Sequence, residues 1–471
     1  MRVDPNLTPA DLVPACDRLF ELAQGKVRDI DRAWSPGDPK QGTPVFTVNG
    51  KYTTRGWTEW TQGFQYGCPL LCFDATDDRE LLELGRTRTV ERMAPHVTHM
   101  GVHDHGFNNI STYGNLRRLM REGRIEHNAW EQHFYEMALK ASGAVQAARW
   151  SGVAVKEPSP HAANAAALGY IYSFNGPHSL FVDTLRTTRI LGLAWQLGHV
   201  LMHENDKSAS LLKRSVLHGL CTSQYVVFHG DSSHEYDVAG RTAHEAVFNR
   251  NDGSFRCRAT QQGFSPFSTW TRGLAWALLG FAEELELFSC INDSVFQSDC
   301  GLPRAMVMKV FERCAIETAN HYVSDVTALD GIPYWDDGAP LLHKLGDWRA
   351  RLAEPFNDHE PVDSSAAAIA AQGLIRLGHH LGKARGRKYV SAGLTVARAL
   401  FAEPYLSTKK NHQGLLLHSV YHRPNGWDHV PRGRKIPCGE SSMWGDYHAL
   451  ELALLIKRMA TGGPYLAFFD R

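Results

Sequence analysis

The chain has 471 residues, of which 43% are hydrophobic and 21% charged, proportions that support a large core and exclude wholesale disorder. Lysine plus arginine equals aspartate plus glutamate at 50 each, which excludes the strongly basic footprint of a nucleic-acid binder. No apolar run reaches the roughly eighteen residues needed to span a membrane.

The opening stretch, MRVDPNLTPADLVPACDRLF, carries Asp4, Pro5, Asp11 and Pro14 where a signal peptide needs an apolar centre. This predicts a cytoplasmic protein, or a periplasmic one if a leader has been removed. Residues 1–50 read as a helix followed by a loop extension, with RAWSPGDPKQGTPV as the loop and TPVFTVNG as a short strand.

Helical periodicity then dominates. Apolar residues return every three or four positions in DRELLELGRTRTVERMA, HNAWEQHFYEMALKASGAVQAARW, DKSASLLKRSVLHGLCTSQYVV, RAMVMKVFERCAIETANHYVSDV and RKYVSAGLTVARALFA. Between them lie helices of another kind, which open on polar residues and continue into small and apolar ones. These are HSLFVDTLRTTRILGLAWQLG, FSTWTRGLAWALLGFAEELEL, PVDSSAAAIAAQGLIRLGHHLG and SSMWGDYHALELALLIKRMA, with HDHGFNNISTYGNLRRL as a possible fifth. Helices buried along their length and polar only at one end suit the inner ring of a toroid, with the amphipathic helices outside. EAVFNRNDGSFRCRA reads as a β-hairpin turning at Asp252–Gly253. No linker divides the chain, so one all-α domain over 1–471 is expected, with short β-hairpin insertions. The nine cysteines show no C-x-x-C pair, the nearest being Cys68 and Cys72, and read as reduced, mostly buried thiols.

Four groups of residues invite chemistry. THMGVHDHGF sets His99, His103 and His105 around Asp104, a spacing open to either a metal site or a carboxylate in a polar pocket wall. Asp183 lies among apolar neighbours near a helix start, either as a helix-capping carboxylate or as the partner of Asp104 in a general acid/base pair. Arg272 and Trp276 stand one helical turn apart and share a face. They could clamp and stack a substrate, or form a core tryptophan beside a structural ion pair. Arg432, Arg434 and Lys435 lie on a Gly/Pro-broken loop, either solvated or standing at a pocket mouth.

Ordered blocks in this chain resemble glycoside hydrolase family 88, the unsaturated glucuronyl hydrolases. HDHGF resembles the family's H-D-L-G-F, FVDTLRT its I-I-D segment, and TQQGFSPFSTWTRGLAW its T-H-Q-G-Y-x-x-x-S-x-W-A-R-G-Q-A-W. VDSSAAAIAAQGL and ESSMWGDYHALE match its C-terminal blocks, so the resemblance runs from roughly residue 57 to residue 457. It implies an (α/α)6 barrel without metal or cofactor. The implied reaction hydrates the C4=C5 double bond of a terminal unsaturated uronic acid on lyase-generated oligosaccharides. The resemblance makes Asp183 the catalytic acid/base and Asp104 the second essential carboxylate. It places His244, Gln262, Arg272 and Trp276 around the substrate. His105, Gln261 and Leu274 depart from the family's leucine, histidine and glutamine.

On this reading the apolar neighbours Leu180, Phe181, Val182 and Leu185 should raise the pKa of Asp183. Arg434 and Lys435 should contact an anionic leaving sugar. The rival readings are a related rhamnogalacturonyl hydrolase, a metal-dependent hydrolase using His99, His103 and His105, and a non-catalytic carbohydrate-binding scaffold.

Overall fold

The computed structural model describes residues 1–34, 42–55, 59–154 and 168–470. In chain order the long helices are α1 (Val13–Ala33), α2 (Gln62–Thr76), α3 (Arg79–Arg92), α4 (105–121), α5 (Ala129–Ala148) and α6 (184–196). They continue with α7 (Leu211–Tyr225), α8 (Thr271–Ser289), α9 (Arg304–His321), α10 (364–381), α11 (383–400) and α12 (Met443–Thr461). The even-numbered helices pack on one another in sequence, and α12 returns to α2, closing an inner ring. Each odd-numbered helix lies outside its neighbour, and α1, anticipated as part of an N-terminal extension, packs against α12 in the outer position. The loop anticipated near residue 40 falls largely on 35–41, outside the described residues.

Local sequence explains the segments. Asp78, Asn128, Ser210, Asp363 and Ser442 each accept backbone N–H groups at the start of α3, α5, α7, α10 and α12, satisfying donors that a helix leaves open. α10 and α11 are separated by Gly382, whose φ of 72° suits a residue without Cβ and turns the chain back on itself. The inner helices are buried over most of their length; α8 has every residue from Thr271 to Phe288 in the interior. Further along the inner helices, buried arginines and glutamates cross-link the ring, with Arg186 on Glu283 and Glu451, and Arg376 on Glu286. These pairs reconcile fully buried helices with charged side chains, because each charge has an opposite partner.

The anticipated hairpin forms from Glu245–Phe248 and Phe255–Ala259, with Gly253 at a positive φ, and a third strand, Ser179–Phe181, joins it. Phe46–Val48 pairs with Lys51–Thr53. Among the described residues no helix is long and apolar enough to cross a membrane.

Candidate active site

The N-terminal ends of the inner helices and their preceding loops enclose a cleft of about 640 Å³, the size range of a small-ligand site. Asp104 precedes α4 and Asp183 precedes α6. Gly106 allows them to meet, since a Cβ there would lie 2.1 Å from the carbonyl oxygen of Thr187. The sheet sets the second approach. Phe181 pairs with Glu245, and the N–H of Val182 donates to the carbonyl of His244 at 3.0 Å, bringing His244 beside Asp183.

Both aspartates occupy helix-capping positions, yet neither side chain caps its helix. The capping reading of Asp183 therefore gives way: its carboxylate faces His103. His103 Nε2 lies 3.1 Å from Asp183 Oδ1 and 3.7 Å from Asp104 Oδ1. Its ring stacks on Phe174 and meets Phe181 edge-on, and Nδ1 has no partner among the described residues.

The two carboxyls titrate in opposite directions. Burial pushes Asp104 above the ordinary carboxylate range, against the counter-pull of His103 and with help from the charge of Asp183. Burial also pushes Asp183 upward, but the hydrogen bond and charge of His103, with His244 and Arg272, outweigh it and leave Asp183 below its ordinary value. The expectation that apolar neighbours raise Asp183 is thus corrected: the hydrogen bond and electrostatic pull of His103 outweigh the apolar shell. Burial lowers His103, yet Asp104 and Asp183 together hold it above the ordinary imidazole value.

The other anticipated residues divide. Gln262, Arg272 and Trp276 line the cleft with His99 and His103. His244 is not among the lining residues. It is buried between Phe181 and Trp270, accepts the N–H of Gln261 at Nδ1, and is lowered by burial to about 4. Arg272 is no free clamp. One of its terminal nitrogens donates to Asp363 and the carbonyl of Val420, the other to Gln262 and the carbonyl of Tyr421.

His99, His103 and His105 do not converge. His105 turns away, with Nδ1 2.8 Å from Ser142 Oγ and Nε2 3.0 Å from the carbonyl of His99. Burial lowers its pKa to about 3.

Arg434 and Lys435 stand elsewhere. Arg434 donates to the carbonyl of Phe356 and lies over that ring, and Lys435 pairs with Asp358 at 3.2 Å while largely exposed. The long loop before α12 lines the cleft with its first half, Tyr421, His422, Asn425 and Trp427, and then turns outward. This first half, with Trp60 and Phe174, forms an aromatic wall not singled out from the sequence. The spacing in YHRPNGW and the tryptophan of WTEW were the available signals.

No protein-family model matches the chain. It is 25% identical over 432 residues to the unsaturated glucuronyl hydrolase of Bacillus sp. (strain GL1), covering 88% of this chain and 91% of that one. The chain is similar over most of its length to the unsaturated glucuronyl hydrolases. An unsaturated chondroitin disaccharide hydrolase of Streptococcus agalactiae serotype III (strain NEM316) is 23% identical over 412 residues, covering 87% of this chain and 84% of the relative. The crystal structure of the Bacillus sp. GL1 unsaturated glucuronyl hydrolase superposes with a TM-score of 0.67 at 21% identity, covering 97% of this chain and all of that one. The fold is accordingly the (α/α)6 barrel, as the closed double ring of helices also requires.

Proposed function

We propose that this protein is a glycoside hydrolase that removes a terminal 4,5-unsaturated uronic acid from oligosaccharides left by polysaccharide lyases. The observation that carries the reading is the buried pair Asp104 and Asp183, bridged by His103 and driven to opposite protonation preferences. Two carboxyls whose environments push them apart are a common arrangement for general acid/base work. The full-length likeness to the unsaturated glucuronyl hydrolases supports the same chemistry.

The reaction adds a proton to C4 and a hydroxyl from water to C5, so that the enol ether becomes a hemiketal. The hemiketal opens to a ketone by breaking the C5–O5 bond, which leaves a hemiacetal at C1; this collapses to an aldehyde, breaking the glycosidic C1–O bond and releasing the adjoining sugar as its alcohol. In the free cleft the surroundings favour the ionised form of Asp183 and disfavour that of Asp104. A substrate brings its own carboxylate, and this added negative charge raises the proton affinity of the pair. Asp183 then delivers a proton to C4 and, ionised again, takes one from the attacking water. Asp104 and His103 keep a second proton and a hydrogen bond within reach throughout. Trp276 at the cleft floor and the aromatic wall offer apolar faces to the sugar rings.

The test follows the loss of the double bond's ultraviolet absorbance across unsaturated disaccharides from several lyases. Turnover of at least one substrate is expected. No turnover across a panel containing unsaturated glucuronyl and galacturonyl substrates refutes the reading.

A further inference from the structure

Tyr421, His422, Asn425 and Trp427 all line the cleft, yet their loop has little regular structure beyond the 3-10 turn Arg423–Asn425. Side chains hold it instead. Arg272 takes the carbonyls of Val420 and Tyr421, the latter at 2.7 Å, and pairs with Asp363 at 3.0 Å. Asp363, at the start of α10, accepts the N–H of Val420 at 3.5 Å. The carboxylate of Asp428 accepts the N–H groups of both Tyr421 and His422, the second at 3.0 Å. Successive peptide groups are thus gripped from both sides, and Asp428 closes the loop from 421 to 428 on itself. Trp427, next to Asp428, packs on Tyr421 at 5.4 Å and on His422 at 4.6 Å between ring centres, with the Arg55 guanidinium 4.0 Å over its indole.

We infer that Asp428 is a positioning residue for the sugar substrate: it holds Tyr421, His422 and Trp427 as one preformed aromatic face at the cleft. This rests on the function proposed above. A preformed face binds more tightly than a loop that must be ordered on binding, because the ordering entropy is already spent. Asp428 touches neither aspartate of the reacting pair in any described contact, so its effect belongs in binding rather than in the proton transfers.

The experiment compares wild type, Asp428→Ala and Asp428→Asn in two measurements. In hydrogen exchange, Asp428→Ala should release the amides of Tyr421 and His422 while the inner helices keep their protection. In steady-state kinetics on an unsaturated disaccharide, Asp428→Ala should raise KM about tenfold, the loss of roughly one aromatic stacking contact, with kcat changed far less. Asp428→Asn, which keeps the shape and one acceptor oxygen, should fall between and guards against a folding failure of the alanine variant. An unchanged KM, or a kcat that falls in step with the folded fraction, overturns the inference. So does unchanged exchange at both amides. A wild type that turns over no unsaturated disaccharide refutes the function itself, and is distinguished by appearing before any variant is made.

Discussion

Replacing Asp183 with asparagine separates proton transfer from everything else this side chain does. The amide oxygen can still accept a hydrogen bond from His103 Nε2 at the 3.1 Å position, so the ring has no reason to move. A charge-assisted bond becomes a neutral one, a loss of about 1 kcal/mol, offset by no longer burying an ionised group. The melting temperature should therefore stay within a few degrees of wild type. Chemistry should fare differently, because an amide can neither protonate C4 nor take a proton from water. Loss of a general acid/base costs about 10²–10⁴-fold, or about 3–5 kcal/mol of barrier. The substrate's carboxylate no longer meets a second negative charge, so KM should stay constant or fall. The assay is loss of double-bond absorbance over a range of disaccharide concentrations, with thermal melting as the folding control. A folded Asp183→Asn with kcat within a few-fold of wild type refutes the mechanism. Raised KM at unchanged kcat would make Asp183 a binding residue only.

The remaining predictions concern charge and burial. Arg434→Ala with Lys435→Ala should change KM less than about twofold for anionic and neutral disaccharides alike, since an exposed ion pair contributes about 0–1 kcal/mol and neither side chain lines the cleft. His105→Leu should lower the melting temperature through about 1–3 kcal/mol of unpaired buried groups, as Ser142 and the carbonyl of His99 lose a partner. Turnover per folded molecule should survive, and a chelator should leave it unchanged. Glu284, buried with Oε2 unpartnered among the described residues, is raised by burial from 4.5 to about 7. Its protonated form favours the fold, an advantage complete below pH 4.5 and lost as pH rises through about 7. Glu284→Gln should therefore gain stability relative to wild type between pH 5 and pH 8, by up to about 3 kcal/mol, measured by denaturant unfolding at both values.

Much of the architecture is written in local patterns. A helix that is apolar all round except at its polar start has to be buried lengthwise, so four inner helices and a fifth could be told from their amphipathic neighbours by sequence alone. The missing inner helix, α2, is interrupted in pattern by Gln65, Gly67 and Pro69, and its burial comes from closure against α12 and α4. The two aspartates and the histidine between them were likewise legible, because each stands at the start of such a helix within a distinctive block.

Sequence by itself thus determined the class of fold, the ends of the inner helices that face the cleft, and the carboxyl pair. Tertiary structure decided what depends on who faces whom. Asp183 is lowered rather than raised because His103, eighty positions earlier in the chain, reaches it. Arg272 is spent on peptide carbonyls of a loop that sequence places far away. Arg434 and Lys435 point outward because their loop turns after Trp427, while Tyr421, His422 and Trp427 take the place at the cleft. The physical reason is common to all three: helical burial follows from periodicity along a few turns, whereas charge and hydrogen-bond partnerships are set across long separations by loops whose path no local pattern encodes.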